Sequence, residues 1–447
     1  MKNMKLKNII NYLLVALLAI QLVSCDNKES LDSTFNATPT ERLNAREKEL
    51  DDLLASSEFG WKAVYFTDNT QLGGFTHLFK FKDGKVDMAS DFDNDTSIFA
   101  SEYDIVLGST VSLVFTTKNR IHLLSDSNSF PTAALRGKGY KGDFQFLYYG
   151  QDNGQIIFRT NRTFQELRFV KATTSDWTNL ALNRAMAPNV TGANTRPLFR
   201  LLETNDGTKV SQFDFNYTNA SRFATSNSIE TGSSLTNNIG IAYTPTGIVV
   251  SPAIKVGNQE LTAFTYDPAT GNFNATGTGG VSASIKYTTK PLVITNDYKI
   301  LLPGNQQNVY GYLAANLGAA PSNSLYANTL LAAANATLPA NQKISRIQIY
   351  FNAGGENYIA YTFNGGKPAI YHDFTVTEDA VNKTLILSDF GWSTGTAPAF
   401  LAAIDKEFFD IKGLYVKKEK FTIGASNTIY TFTSASSNFR ITTYAFQ

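Results

Sequence analysis

His77-Leu78-Phe79-Lys80-Phe81-Lys82-Asp83-Gly84-Lys85-Val86-Asp87-Met88-Ala89 is the stretch on which the fold class turns. Two runs of period two, 77–81 and 85–89, meet across Lys82-Asp83-Gly84. Asp-Gly tolerates the positive φ angles of a tight hairpin turn, so the stretch reads as two antiparallel strands. Outward from it, residues 61–66, 102–107, 111–116 and 121–124 continue the meander. Residues 144–149 and 155–159 pair across Gly150-Gln151-Asp152-Asn153-Gly154, and 166–170 end the run. The same punctuation recurs further along, with strands expected at 210–217, 239–243, 248–250, 260–266, 344–351, 357–363, 428–433 and 438–446.

Helices are fewer. Thr38 is a natural N-cap, Pro39 fits the first helical position, and Glu41 completes a capping box. Leu43, Leu50, Leu53 and Leu54 fall on one face of that helix, which therefore packs on something. Further helices are expected at 177–186, stopping before Pro188, and at 324–334 and 398–408. A helix beside a meander near residues 41, 177 and 324 fits a degenerate repeat or simply a common way of covering a sheet. The expected class is mainly β, with antiparallel meanders forming sandwich or partly closed barrel domains and a few short covering helices. Residues 39–190 read as an N-terminal helix-plus-meander domain and 191–447 as a C-terminal β-rich domain that divides near 320 if it divides at all.

Composition agrees. The chain has 447 residues, and 43% of them are hydrophobic, enough for a sizeable core. With 32 Phe and 21 Tyr against 4 Met, the aromatic bias favours strands. The 39 Lys+Arg and 38 Asp+Glu leave no basic face, so no nucleic-acid partner is expected. One Cys and 3 His exclude disulfide frameworks and Cys- or His-rich metal sites.

That single cysteine carries an address. Lys2, Lys5 and Lys7 precede an apolar stretch from Ile9 to Val23, too short to span a bilayer comfortably and suited to a signal peptide over 1–24. The segment closes on Leu22-Val23-Ser24-Cys25, which resembles the bacterial lipoprotein box. The resemblance implies cleavage before Cys25 and acylation of it, with 25–38 as a flexible tether. Two or three acyl chains anchor stably at about 0.8 kcal/mol per buried CH₂. Asp26-Asn27-Lys28-Glu29-Ser30 is similar to the export signal that takes Bacteroidota lipoproteins to the outer leaflet, or is a plain solvated tether. The expected location is the outer membrane, lipid-anchored and facing the cell exterior.

Candidate chemistry is sparse. Asp91-Phe92-Asp93-Asn94-Asp95-Thr96-Ser97-Ile98-Phe99-Ala100-Ser101-Glu102 spaces Asp91, Asp93, Asp95 and Glu102 like the oxygen ligands of an EF-hand loop. Thr96 stands where that loop wants Gly and the flanks read as strands, so a solvated loop competes with calcium; no other cofactor is expected. His77 and His122 read as strand residues, and His372 adjoins Asp373 with no evident nucleophile. Asp405 and Glu407, like Asp51 and Asp52, have the spacing of a solvated helix face. Trp61 and Trp177 read as core, whereas Trp392, in Phe390-Gly391-Trp392-Ser393-Thr394-Gly395, is a candidate ligand platform.

Gly60-Trp61-Lys62, Tyr65-Phe66, Gly74-Phe75-Thr76-His77-Leu78-Phe79-Lys80-Phe81, Gly84-Lys85-Val86, Ser101-Glu102-Tyr103, Phe115 and Ile121-His122-Leu123 follow one another in order. The run, mainly within residues 40–170, resembles the Bacteroidota lipoproteins carrying domain of unknown function 4302. The resemblance implies an outer-membrane lipoprotein in the company of SusC/SusD-type importers, and no catalytic residue. The expected role is noncatalytic capture or hand-over of a ligand for such an importer. A structural or assembly subunit, or a hydrolase with an unrecognised site, are the alternatives.

Overall fold

In the computed structural model, residues 38–446 are described apart from 109, 194, 195 and 424, so Cys25 and the address segment lie outside the described residues. The strands fall into three antiparallel sheets. The first comprises β1 (Trp61–Phe66), β2 (Gly74–Lys82), β3 (Lys85–Ser90), β4 (Phe99–Leu107), β5 (Val111–Phe115), β6 (Gln145–Asp152), β7 (Gln155–Thr160) and β8 (Glu166–Lys171). They form a closed barrel in sequence order, sealed where Trp61 and Lys62 of β1 meet Lys171 and Val170 of β8. The β2–β3 hairpin turns at Asp83 and Gly84, both at positive φ, as its Asp-Gly requires.

An eight-stranded barrel is just wide enough for its interior to be filled by side chains. Here the filling is aromatic: Phe79 packs 4.8 Å from Phe169, which packs 4.8 Å from Phe158, with Trp61, Phe115 and Phe146 in the same core. The Pro39–Ala55 helix closes the end where β1 begins, and both halves of its Thr38/Glu41 capping box form. Leu50 and Leu54 enter the core, contributing about 2 kcal/mol each. Leu43 and Leu53 pack partly buried beside them. Trp61 Nε1 donates to the Leu54 carbonyl at 2.9 Å, fixing the helix to the first strand.

At the opposite end, Arg120–Leu124 is a 3₁₀ turn and not the strand its alternation suggests. The Asn119 side chain accepts the Arg120 N–H at 2.6 Å, and the Asn119 N–H donates to His122 Nδ1 at 3.0 Å. Such local bonds compete with a ladder, and the turn lets Ile121 and Leu124 plug the barrel.

The second sheet has nine strands: β9 (Phe199–Asp206), β10 (Val210–Asp214), β11 (Asn216–Thr218), β12 (Phe223–Thr225), β13 (Ile239–Thr244), β14 (Gly247–Val256), β15 (Gln259–Asp267), β16 (Asn272–Thr276) and β17 (Val281–Thr288). Their order is β10-β9-β17-β16-β15-β14-β13-β12-β11. The sheet nearly closes: between its edges run residues 226–238, bridged at Phe213 with Ser228 and at Asn227 with Thr236. Helices Thr174–Thr178 and Leu180–Thr191 precede it, and Met186, Ala187 and Val190 enter its core. The second helix continues through Pro188 to Thr191, beyond the stop expected from sequence. Pro188 sits in the last turn, where its carbonyl accepts the Gly192 N–H at 2.9 Å.

The third sheet is another closed eight-stranded barrel: β18 (Asn308–Leu313), β19 (Ile344–Ala353), β20 (Glu356–Phe363), β21 (Ile370–Asp379), β22 (Thr384–Trp392), β23 (Leu414–Ile423), β24 (Ala425–Ser434) and β25 (Arg440–Phe446). The Leu325–Ala336 helix, N-capped by Ser324, packs against β25. The β22–β23 contact is a single pair, Leu385 with Leu414. The chain between them contributes Leu401, Ile404 and Phe408, all fully buried, to the core. The helix expected at 398–408 is reduced to Ala402–Asp405 within a series of turns. A helix beside a meander thus occurs in all three units, although in the third it follows the first strand.

Candidate functional site

Asp91 leaves the end of β3 fully buried. Its Oδ1 accepts from the Thr76 N–H and from Arg222 Nη1, each at 3.0 Å, and its Oδ2 accepts from Asn183 Nδ2 at 3.1 Å. Arg222, just before β12 of the second sheet, also donates Nη1 to the Gly74 carbonyl at 2.9 Å and Nη2 to the Asp91 carbonyl. Its guanidinium lies 4.1 Å from the Phe75 ring centre and 4.4 Å from that of Tyr243. Asp93 and Asp95 turn instead to Arg120, with Asp93 Oδ2 at 3.0 Å. Glu102 is an exposed residue of β4.

The structure does not gather Asp91, Asp93, Asp95 and Glu102, the residues with calcium-loop spacing, into one cluster. Two arginines supply the positive charge these aspartates face, and among the described residues no three His, Cys, Asp or Glu side chains converge as a metal site. Asp91 with Arg222 is the pin between the first barrel and the second sheet.

The histidines have settled partners or none. His77 is on β2 as expected, fully buried with neither ring nitrogen bonded. Burial, helped by the Arg222 charge, pushes its pKa down to about 3. His122 lies in the 3₁₀ turn, not on a strand, and stacks 4.6 Å from Phe144. His372 on β21 is sandwiched between Trp392 at 4.1 Å and Phe409 at 4.2 Å. Its Nδ1 is 3.0 Å from both oxygens of Asp405, and its Nε2 is 2.8 Å from Asp389. Tyr361 donates to Asp405 at 2.6 Å. Burial opposes the imidazolium, but the bonds and charges of Asp405 and Asp389 outweigh it and hold His372 above its ordinary pKa.

Two expectations change here. Asp405 and Glu407 are buried, Glu407 accepting from the Tyr326 hydroxyl at 3.1 Å, so they do not form a solvated face. Trp392 is half-buried and gives one ring face to His372, so it is no exposed platform. Trp61 is core, as read; Trp177 is half-buried, its Nε1 donating to the Phe59 carbonyl at 2.8 Å.

A roomier site lies at one mouth of the second sheet. A cavity of about 570 Å³ opens among the ends of β9 and β10, the 235–238 segment and the far half of β14. Its floor is Phe213, Ile239 and Val256; Thr204, Ser211, Thr236, Asn237 and Asn238 bring hydroxyls and amides, and Lys209 and Lys255 stand at the rim. A break in β14 makes the room. Its ladder with β15 shifts between Val249 and Ile254, and Pro252, which has no N–H to donate, sits in the released part.

The rim is preorganised. Asp206 accepts the backbone N–H groups of Thr208 and Lys209 at 2.8 and 2.7 Å. With the Thr208 hydroxyl as the largest cause, these bonds lower its pKa to about 2. Lys209 pairs with Glu230 at 2.9 Å, tying β10 to the bridging segment. A concave, mixed-polarity barrel mouth with fixed donors and acceptors suits reversible binding of a polar ligand. Pro252 inside an apolar run was the one sequence sign of it, because a proline in a strand marks a bulge or an edge.

No curated protein matches the chain. Among solved structures, the DNA polymerase sliding clamp of Bacillus subtilis is 8% identical, with 90% of this chain and 96% of that one covered at a TM-score of 0.14. Pol III beta of Caulobacter crescentus is also 8% identical, covering 87% and 91% of the two chains, again at 0.14. Residues 31–268, which take in the first barrel, the Asp91–Arg222 pin and the whole second-sheet mouth, match the domain of unknown function DUF4302, and the chain belongs to that family.

Proposed function

We propose that this chain is a noncatalytic, lipid-anchored lipoprotein of the outer-membrane surface, accessory to a SusC/SusD-type importer, which captures a polar ligand in the mouth of the second sheet and hands it over. The observation that carries the reading is the cavity of about 570 Å³ inside the family-matched residues, lined by hydroxyls and amides over an apolar floor. Cys25, by its resemblance to the lipoprotein box, supplies the anchor.

Two measurements test it. In a thermal-shift panel of soluble oligosaccharides and short peptides, a ligand at 100 times its Kd stabilises by about 2.7 kcal/mol. Ser211→Trp, at a half-buried position of the mouth, removes that shift. No shift across the panel counts against capture and favours the assembly-subunit alternative. Affinity purification of the tagged, lipidated protein from native outer membranes recovers an importer at near-stoichiometric yield; recovery of the protein alone overturns the partnership.

A further inference from the structure

A second cavity, of about 250 Å³, lies between the second sheet and the C-terminal barrel. One wall is mostly apolar: Phe199 and Ile229 of the second unit together with Leu292, Val293 and Ile294 of the connecting segment, with Asp214 and Asn216 of the second unit as its polar members. The facing wall belongs to the barrel and is charged: Lys383, Lys417, Glu419 and Arg440, with Thr431 and Thr433 between. The connecting segment is pinned to the barrel, since Thr295 donates to Asp297 at 2.7 Å and Asp297 accepts the Lys418 N–H at 2.7 Å.

The charges on that wall do not cancel. Glu419 is held by Arg440 at 2.6 Å and by Lys417 at 3.3 Å, so one carboxylate faces two cations. Asp214, across the cavity, accepts the Asn227 N–H at 2.6 Å. Lys383 sits half-buried in the turn after β21 at φ 56° and makes no ion pair among the described residues. The lining thus brings three cations to two carboxylates: Lys417 and Arg440 share Glu419, Asp214 is held by Asn227 on the opposite, mostly apolar wall, and Lys383 is left over. A partly desolvated ammonium without a counter-charge is stabilised by an anion placed beside it.

We propose that this junction is a binding site for a small organic anion, a carboxylate carried on an aliphatic or aromatic body of about ten heavy atoms. The size follows from scale: a cavity of about 150 Å³ accepts benzene, so 250 Å³ admits an occupant nearly twice as large. The carboxylate lies against Lys383 and Lys417, and the body lies on Phe199 and the 292–294 segment. Because the walls come from two units, the occupant also ties the second sheet to the C-terminal barrel.

The test compares octanoate with octanamide, equal in heavy atoms and different in charge, by calorimetry on the full chain. Octanoate binds at least tenfold tighter than octanamide and protects residues 292–295 from hydrogen exchange. The double variant Lys383→Met, Lys417→Met keeps the apolar stems and abolishes the preference. Asn216→Trp, at an exposed lining position, weakens both compounds. Equal affinity for the two, an unchanged preference in the double variant, or no binding of octanoate at millimolar concentration each overturns the proposal. The two cavities share no lining residue, and Ser211 and Phe213 of the mouth alternate along β10 with Asp214 of the junction, so Ser211→Trp leaves the preference for octanoate over octanamide unchanged and the two sites stand or fall separately.

Discussion

The first and third sheets are both closed eight-stranded barrels with apolar cores, yet they treat a buried histidine in opposite ways. The first is stacked rings, with its one interior histidine kept neutral by burial. The third is sealed at β22–β23 by a single residue pair, and the chain that crosses this seam carries a buried aspartate to a histidine whose pKa is held above its ordinary value. The same closed topology thus holds one histidine with no partner for either nitrogen and another inside a cluster of carboxylates. The two solutions respond to acid with opposite sign.

The largest effects come from breaking either filling. Phe79→Ala removes a ring at the centre of the first stack and costs about 3–5 kcal/mol, read by denaturant unfolding. Asp405→Ala strands His372 and Tyr361 without their shared acceptor and also costs about 3–5 kcal/mol, confined to the third sheet. Hydrogen exchange followed separately over residues 61–171 and 308–446 distinguishes the two. Uniform loss of protection in both variants would break the comparison.

Titration sharpens it. His77 in the folded protein stays neutral down to about pH 3, whereas an unfolded histidine takes up its proton near pH 6.5. Stability is therefore lost from the first barrel as pH falls below about 6.5, by about 1.4 kcal/mol per pH unit at most. His77→Leu removes that loss with little cost at neutral pH, because neither ring nitrogen has a partner to abandon. His372 behaves oppositely. Its folded pKa is raised, so its contribution is complete below about pH 6.5 and lost as pH rises through the folded value. Melting of His372→Phe against the parent protein from pH 5 to pH 9 checks this: the difference is largest at the acidic end and shrinks on alkalinisation.

Smaller effects probe what lies around the barrels. A Cβ on Gly73 would stand 2.2 Å from the Arg222 carbonyl oxygen, so Gly73→Ala forces the pin apart and costs about 1–3 kcal/mol in thermal unfolding. The two helix caps give the finest contrast. Thr38 is exposed, and Thr38→Ala costs about 1 kcal/mol. Ser324 is buried and accepts from both Ala327 and Arg440 N–H groups at 3.0 Å, so Ser324→Ala costs more, about 2 kcal/mol. Equal costs would mean that burial of a cap adds nothing here.

Local chemistry in the sequence was legible wherever the decisive partners were near neighbours. Asp83-Gly84, the Thr38/Glu41 box and the leucine face of the first helix each became the element they suggested. The failures share a cause. Asp405 meets His372 from 33 residues away and Asp91 meets Arg222 from 131, distances over which spacing carries no information. The alternation of residues 121–124 was overridden by one capping asparagine. The second-sheet mouth is built from residue types common everywhere on this chain, with only Pro252 out of pattern.

The way the sheets end has a consequence for crowded conditions. Unpaired strand edges are templates for aggregation, and a closed barrel has none to offer. Among the described residues, the second sheet keeps two edges, β11 of three residues and β10 shielded at Phe213 and Asp214 by the 226–238 segment, and the third barrel keeps a seam at β22–β23 that is paired at Leu385 and Leu414 alone. The places where one copy of this strand-rich chain could recruit the strands of the next are thus narrowed to the covered edges of the second sheet and the β22–β23 seam.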